Sequence, residues 1–465
     1  MKYTYQYRLL PTTEQKLELN SWLRICRYWY NLQLGERFDW WERNRSYLNA
    51  CPLICHLPEL KDRPNYYSQK KQLPKLKQDL ITVEWSSELL DFTSVPSQTL
   101  QEVGKRVKLA MNRYISGDSQ GKRSGKPRFK NTARFRSMVL EGQALKLHSC
   151  SLSGKYLYLE VAKIGILKIR SHRHLPNGSI LKQAQIIKKA DGWYINLRLE
   201  DVTVPDFKLD IKPTWDNSIG LDAVLHEDDY LATSEGIKLP SLKSYRKSEA
   251  SLAKVSRRKS SKNKGSKSRR QLAKREARLH QRIARARRDH AYSTAHALLK
   301  TGKTVFFYEK LNLAGLRRRN NPKQDELGRY LPNGQSPKSG LSKSWADAAF
   351  GQFFSILSYI AGKAGFLAIE VNPAYTSQLL CHKDEFVFTD CSIREYWDED
   401  MKLLIDRDIS AAVNIKRVGL DVFPTIKRRK GNPVVVASTT NSTLKQVLPV
   451  LQSWTAQKPA LYASA

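Results

Sequence analysis

The sequence is short of three things. Cysteine is scarce: six residues, at positions 26, 51, 55, 150, 381 and 391, are too few and too uneven for a disulfide framework, and they suit a reducing compartment. Long apolar runs are missing too. No stretch nears the length of a membrane span, and the opening MKYTYQYRLLPTTEQ lacks the apolar core of a signal peptide. A soluble, intracellular protein with no membrane role is expected. Acids are the third shortage: 44 Asp and Glu stand against 80 Lys and Arg, and the net charge of +36 makes nucleic acid the expected partner. The few acids are conspicuous against that background. Hydrophobic residues, at 41%, suffice to fill the cores of about two to four domains in a chain of 465 residues.

TYQYRLL reads as a strand, and apolar residues at helical spacing follow Thr12 and Thr13, both cap candidates. Helices continue through SQTLQEVGKRVKLAMNRYI. From about Arg134 the pattern becomes alternation, in FRSMVLEG, YLYLEVAKIGILKIRSH and AQIIKKADGWYINLRLE, with turn signals between. This predicts an antiparallel β-barrel that recruits the first strand and leaves the helices as an insertion. At the junction, GKRSGKPRFKNTARFR mixes Lys126, Arg128 and Lys130 with Phe129 and Phe135, a combination suited to phosphates and stacked bases.

A second region opens with NSIGLDAVLHEDDYLATSEGI, a hairpin carrying Asp222 on its first strand. The most basic segment follows, with one acid, Glu276, between Ser256 and Arg288. Its Ser/Lys/Gly part predicts a mobile loop, and its second part a long helix with a narrow apolar seam. Arg269, Arg270, Arg278 and Arg282 are the candidate phosphate contacts there. TVFFYEKLNLAG is a strand ending in Glu309, SWADAAFGQFFSILSYIAG (Ser344 to Gly362) a buried helix, and FLAIEVNP another strand. The order is that of an α/β layer, closed by LLIDRDISAAVNI.

In that last stretch Asp408 could simply cap the helix. Yet Asp222, Glu309 and Asp408 each follow an apolar segment that would deliver the side chain to one sheet edge. Three converging carboxylates repel one another unless a cation joins them, and hard oxygen ligands select Mg²⁺ or Mn²⁺. Paired ions of that kind hydrolyse phosphodiesters. Asp222, Glu309 and Asp408 are therefore the candidate metal ligands and catalytic acids.

IGLD, FFYEKLNL and DRDISAAVNI resemble the three nuclease motifs of the TnpB (OrfB) proteins of bacterial insertion sequences, relatives of the type V CRISPR effectors. RLLPTTEQ with CRYWYN, SVPSQTLQ, GKPRFKN, WADAAFGQF and VNPAYTSQ extend the resemblance over nearly the whole chain. It implies a multidomain α+β protein that binds a guide RNA and cleaves complementary double-stranded DNA beside a short motif. The implied parts are a wedge β-barrel domain from 1–10 and 133–212, an inserted helical recognition domain over 11–132, and a RuvC/RNase H-like nuclease domain from 213–372 and 403–425. Asp406 and Arg407 become supporting residues. The family's zinc ribbon would fall at 373–402, where this chain has Cys381, His382 and Cys391 but no second CxxC pair. Three scattered ligands do not close a tetrahedral site, so a degenerate insert without structural zinc is expected. Cys51, Cys55 and His56 are read as packing for the same reason. Residues 426–465 show little periodicity and are read as a loose tail. A monomer in the bacterial cytoplasm, on the nucleoid when bound to DNA, is expected. The competing readings are a catalytically idle RNA-guided DNA-binding protein and a DNA strand transferase that uses no RNA.

Overall fold

The computed structural model describes residues 2–50, 62–83, 88–141, 145–148, 154–201, 210–390, 392–429 and 432–457, in two units, Met1–Asp206 and Phe207–Ala465.

In the first unit, β1 (Lys2–Leu9) leads into α1 (Thr13–Ala50). Thr12 Oγ1 accepts the Gln15 N–H at 3.2 Å and Gln15 Oε1 accepts the Thr12 N–H at 3.0 Å, a reciprocal cap. Leu19, Trp22, Cys26, Trp29 and Leu34 put a helically spaced apolar stripe into the core. Next come α2 (Tyr66–Lys70), α3 (Leu73–Leu76), a hairpin of β2 (Ile81–Val83) and β3 (Glu88–Leu90), and α4 (Ser97–Ile115). The Trp29 indole N–H donates to the Leu100 carbonyl at 3.1 Å and ties α1 to α4.

Six strands follow: β4 (Ser137–Glu141), β5 (Leu145–His148), β6 (Tyr156–Val161), β7 (Gly165–Arg170), β8 (Ile180–Lys189) and β9 (Gly192–Glu200). With β1 they form one antiparallel sheet, in the order β4-β8-β9-β1-β7-β6-β5. β1 lies against β9 along its full length, from Lys2 opposite Glu200 to Leu9 opposite Trp193. Leu157, Leu159, Ile195 and Leu197 join the core of α1 and α4. The barrel expected from the alternation does not close: β4 and β5 are the sheet's two edges, and among the described residues nothing pairs them. Alternation decides which face a side chain takes and leaves open whether distant edges meet.

The second unit begins with β10 (Ser218–Ala223), β11 (Asp229–Thr233), β12 (Lys238–Pro240), α5 (Ser244–Ser260), α6 (Lys267–Leu299) and β13 (Val305–Glu309). Then come α7 (Leu313–Leu316), β14 (Lys323–Gln324), β15 (Tyr330–Leu331), α8 (Gln335–Ala348), α9 (Phe350–Ala364) and β16 (Leu367–Val371). The single helix expected over Ser344 to Gly362 is broken at Ala349, whose backbone is left-handed at φ 54°. The unit ends with β17 (Glu395–Asp398), β18 (Leu403–Asp406), α10 (Arg407–Gly419), β19 (Thr425–Arg429), β20 (Asn432–Ala437) and α11 (Thr440–Gln457).

Its sheet runs β12-β11-β10-β13-β16, antiparallel through the first three strands and parallel from β10 to β13 to β16. α6 and α9 cover one face, where Ile219, Leu221 and Phe306 meet Ala295, Leu298, Phe353 and Leu357. α10 covers the other, where Ala232 meets Ile409 and Ala412, and Phe307 meets Ile415. Gly220 allows this: a Cβ there would stand 2.0 Å from the Ala412 carbonyl oxygen. The loose tail expected over 426–465 is ordered at its described residues. β19 and β20 pair, and α11 buries Val447 and Leu451 beside Ile405 and Val413. Pro449 inside α11 had masked its helical pattern. Among the described residues no helix is long and apolar enough to cross a membrane.

Candidate active site

Side chains alternate along a strand, and the alternation aims two of the acids. Asp222 lies two residues after Gly220 on β10, and Glu309 two after Phe307 on β13, so both face α10. Leu221 is in register with Tyr308 on the parallel partner, which sets Asp222 beside Glu309 at the carboxyl ends of neighbouring strands. Glu309 Oε1 accepts the Ala223 N–H at 3.2 Å. Both acids are half-buried. Loss of water, then the charges of Glu309 and Asp408, push the Asp222 carboxyl well above the usual range, against a smaller pull from Arg407. Loss of water pushes Glu309 up to about 7, opposed by the Ala223 N–H.

The third and fourth acids belong to the start of α10. Asp406, in extended backbone, caps the helix: its Oδ1 accepts the N–H groups of Asp408 at 2.9 Å and Ile409 at 3.1 Å. The capping role open to Asp408 thus falls to its neighbour two residues earlier. Asp408 is buried, and its carboxylate meets Lys238 at 3.2 Å and Arg394 at 3.2 Å. Lys238 also reaches Asp406 at 2.8 Å and Asp229 at 3.3 Å.

The three-acid ligand set is therefore only partly assembled. Among the described residues no three His, Cys, Asp or Glu side chains stand together as metal ligands. Asp222 and Glu309 are adjacent, and Asp408 contributes to the field at Asp222 while its oxygens are engaged by two cations. A buried carboxylate is costly unless paired, and Lys238 and Arg394 supply the pairing of Asp408. All the donors are hard oxygens, the chemistry of a Mg²⁺ or Mn²⁺ site; it is the pairing of Asp408 that does not yet fit one. Sequence reasoning missed Lys238 and Arg394, because a lone lysine on a three-residue strand carries no local pattern.

The insert over 373–402 is held to α10 by polar contacts. Cys381 is buried, and burial pushes its thiol up to about 11. Its N–H donates to Ser410 Oγ at 3.1 Å, and the Ser410 hydroxyl donates to the Leu379 carbonyl. His382 pairs with buried Asp398 at 2.6 Å, and Lys383 with the same carboxylate at 2.8 Å. Arg417 pairs with Asp384 at 2.8 Å and donates to the Cys381 carbonyl at 3.1 Å. Cys391, Cys51, Cys55 and His56 lie outside the described residues.

The basic candidates separate into groups. Arg128 and Lys130 line a cavity of 340 Å³ together with Tyr30, Arg113, Phe129 and Arg134. Asn31 fixes this segment by bonding both the N–H and the carbonyl of Lys130. Lys126 stands over the Phe38 ring at 4.5 Å instead. Arg113 and Arg134 are absent from the candidates; Arg134 lies within the basic junction itself and Arg113 on the helix that precedes it. On the α5–α6 hairpin, Arg270, Arg278 and Arg282 are exposed along one face of α6. Arg269 is not free for phosphate: its guanidinium donates to the Lys259 and Lys262 carbonyls at 3.0 and 2.7 Å, closing the end of α5.

Three family models match: OrfB_IS605, "Probable transposase", over residues 210–320; HTH_OrfB_IS605, "Helix-turn-helix domain", over 1–46; and Cas12f1-like_TNB, "Cas12f1-like, TNB domain", over 350–415. The second span contains one strand and one continuous helix here. The chain is similar to a Streptomyces pristinaespiralis protein named "Putative RNA-guided DNA endonuclease", 26% identical over 426 residues and 90% of each chain. It is also similar to "Putative RNA-guided DNA endonuclease InsQ" of Escherichia coli (strain K12), 26% identical over 378 residues, 80% of this chain and 81% of that one. A solved structure, "Cryo-EM structure of the Cas12f1-sgRNA-target DNA complex", aligns with 90% of this chain and 98% of its own, at 11% identity and TM-score 0.42. Three models thus match in order along the sequence, two of them OrfB_IS605 models, and the two relatives are similar over four-fifths or more of both chains.

Proposed function

We propose that the protein is an RNA-guided DNA endonuclease: it binds a guide RNA and cuts complementary double-stranded DNA beside a short motif. Its second unit is read as a RuvC/RNase H-like nuclease domain, in which Asp222, Glu309 and Asp408 hold divalent metal. The activity is supported by the two relatives that bear that name along most of their length. The observation that carries the site is the placement of Asp222 and Glu309 side by side at the carboxyl ends of β10 and β13, under the start of α10. Acids so crowded gain from a bound cation. Bound Mg²⁺ or Mn²⁺ supplies activation of the attacking water and stabilisation of the leaving oxygen of a phosphodiester.

The chain's own residues orient the reaction. Asp406 fixes the first turn of α10 and with it the position of Asp408. Arg270, Arg278 and Arg282, and separately Arg128 and Lys130, bind backbone phosphates. The protein is taken to act as a monomer in the cytoplasm, on the nucleoid when bound to DNA. A plasmid-cleavage assay with the copurifying RNA and Mg²⁺ is the test. Asp222→Ala, Glu309→Ala and Asp408→Asn should each retain target binding and lose cleavage by orders of magnitude. A parental protein that binds guided target and never cuts it is an idle binding module, and joined DNA ends without RNA would point to a strand transferase.

A further inference from the structure

Lys238 is set into the acid site more deeply than a surface lysine. It stands on the short edge strand β12 with its side chain 15% exposed. Its ammonium has three N–H donors and meets three carboxylates: Asp406 at 2.8 Å, Asp408 at 3.2 Å and Asp229 at 3.3 Å. The Trp454 ring of α11, its centroid 5.7 Å away, closes the remaining side. α11 is itself anchored there, with Val450 and Trp454 against Val224, Ile409 and Ala412. Three carboxylates around one compact cation are the surroundings that a divalent ion takes from acidic ligands.

We infer that Lys238 is, beside Arg394, a resident counter-cation of Asp408 that competes with divalent metal for this acid. The inference rests on the reading of Asp222, Glu309 and Asp408 as the metal acids. It explains why two of those acids are adjacent while the third is engaged elsewhere. It also requires only a local exchange: on metal binding Lys238 gives up the Asp408 oxygen it holds and keeps Asp406 and Asp229, while Arg394 faces the other oxygen. A lysine that merely braced Asp408 for the metal would have the opposite effect on affinity, so the sign of one measurement separates the two roles.

Mn²⁺ is the probe, titrated by electron paramagnetic resonance into the full chain without nucleic acid. Lys238→Met, which keeps length and removes charge, should bind Mn²⁺ at least tenfold more tightly than the parent, and Lys238→Arg should not. Equal or weaker binding by the Met variant overturns the inference. A second measurement uses the parental chain alone, so it does not depend on any variant folding. Acylation of Lys238 by an amine-reactive ester, read by mass spectrometry, should rise several-fold when Mg²⁺ is added; unchanged labelling overturns the inference as well. If Mn²⁺ binding survives intact in an Asp222→Ala, Glu309→Ala double variant, the metal-site reading falls, and this inference with it. If that double variant loses Mn²⁺ while Lys238→Met matches the parent, only the role of Lys238 falls.

Discussion

Asp406 and Asp408 are two residues apart in DRD and do different work. The first has the extended backbone of a cap and satisfies two orphan N–H groups; the second lies inside the helix and faces cations. Asp406→Ala should therefore cost about 1–2 kcal/mol more than Asp406→Asn, which retains the cap acceptor. At Asp408 the gap between the Ala and Asn variants should shrink to about half a kcal/mol, since its carboxylate faces Lys238 and Arg394. Urea denaturation of the four variants measures both gaps. The spacing made an acid cap legible in the sequence but not which aspartate, because the choice depends on where the backbone turns from extended to helical. Glu309 adds a pH signature. Its carboxyl titrates at about 7 in the folded chain against an ordinary 4.5, so the stabilising effect is complete below pH 4.5 and is lost as pH rises through 7. Without divalent metal, the parent should lose stability relative to Glu309→Gln across that window, by roughly 3 kcal/mol if the full shift is realised. Mg²⁺ should reduce the loss if it binds there.

At the scale of elements, the site depends on how closely α10 can lie on β10. Gly220 fixes that approach, with the Ala412 carbonyl, the Lys416 N–H and the Lys416 Cβ all within 3.0 Å of where a Cβ would be. Two of those three atoms are backbone, so a methyl group there has to push α10 and Asp408 off the strand. Gly220→Ala should destabilise by about 1–3 kcal/mol or more and weaken Mn²⁺ binding in parallel, measured by denaturation and metal titration. An alanine variant of parental stability and affinity would mean that the helix does not sit this close. The α/β order around β10 was legible because buried strands and amphipathic helices differ in period. Other elements were not. Ala349 breaks a helix with a residue that favours helix, and α11 carries its buried Val447 and Leu451 around an internal proline. In both cases tertiary packing outweighed the local preference.

For the molecule as a whole, the net charge of +36 predicts steeply salt-dependent binding to nucleic acid, and the structure separates exposed cations from those engaged within the chain. Counterion release lowers log affinity by about 0.7 per neutralised phosphate on single strands and about 0.9 on duplex per unit of log salt. The sequence treats the arginines of the basic segment alike, since composition measures charge and not its employment. In the structure they are unequal. Arg270, Arg278 and Arg282 are exposed along α6, whereas Arg269 is engaged by two carbonyls at the end of α5. Alanine at 270, 278 or 282 should then reduce the salt slope by about one contact each, with little change in stability. Arg269→Ala should do the reverse, lowering stability by about 1 kcal/mol through the lost carbonyl bonds while the slope stays parental. Affinity for the copurifying RNA, measured from about 50 to 300 mM salt alongside urea denaturation, distinguishes the two kinds of arginine. If Arg269→Ala flattens the slope as much as Arg278→Ala does, then the α5–α6 turn opens on RNA and offers its arginine to phosphate, and the division made from the free chain does not hold for the complex.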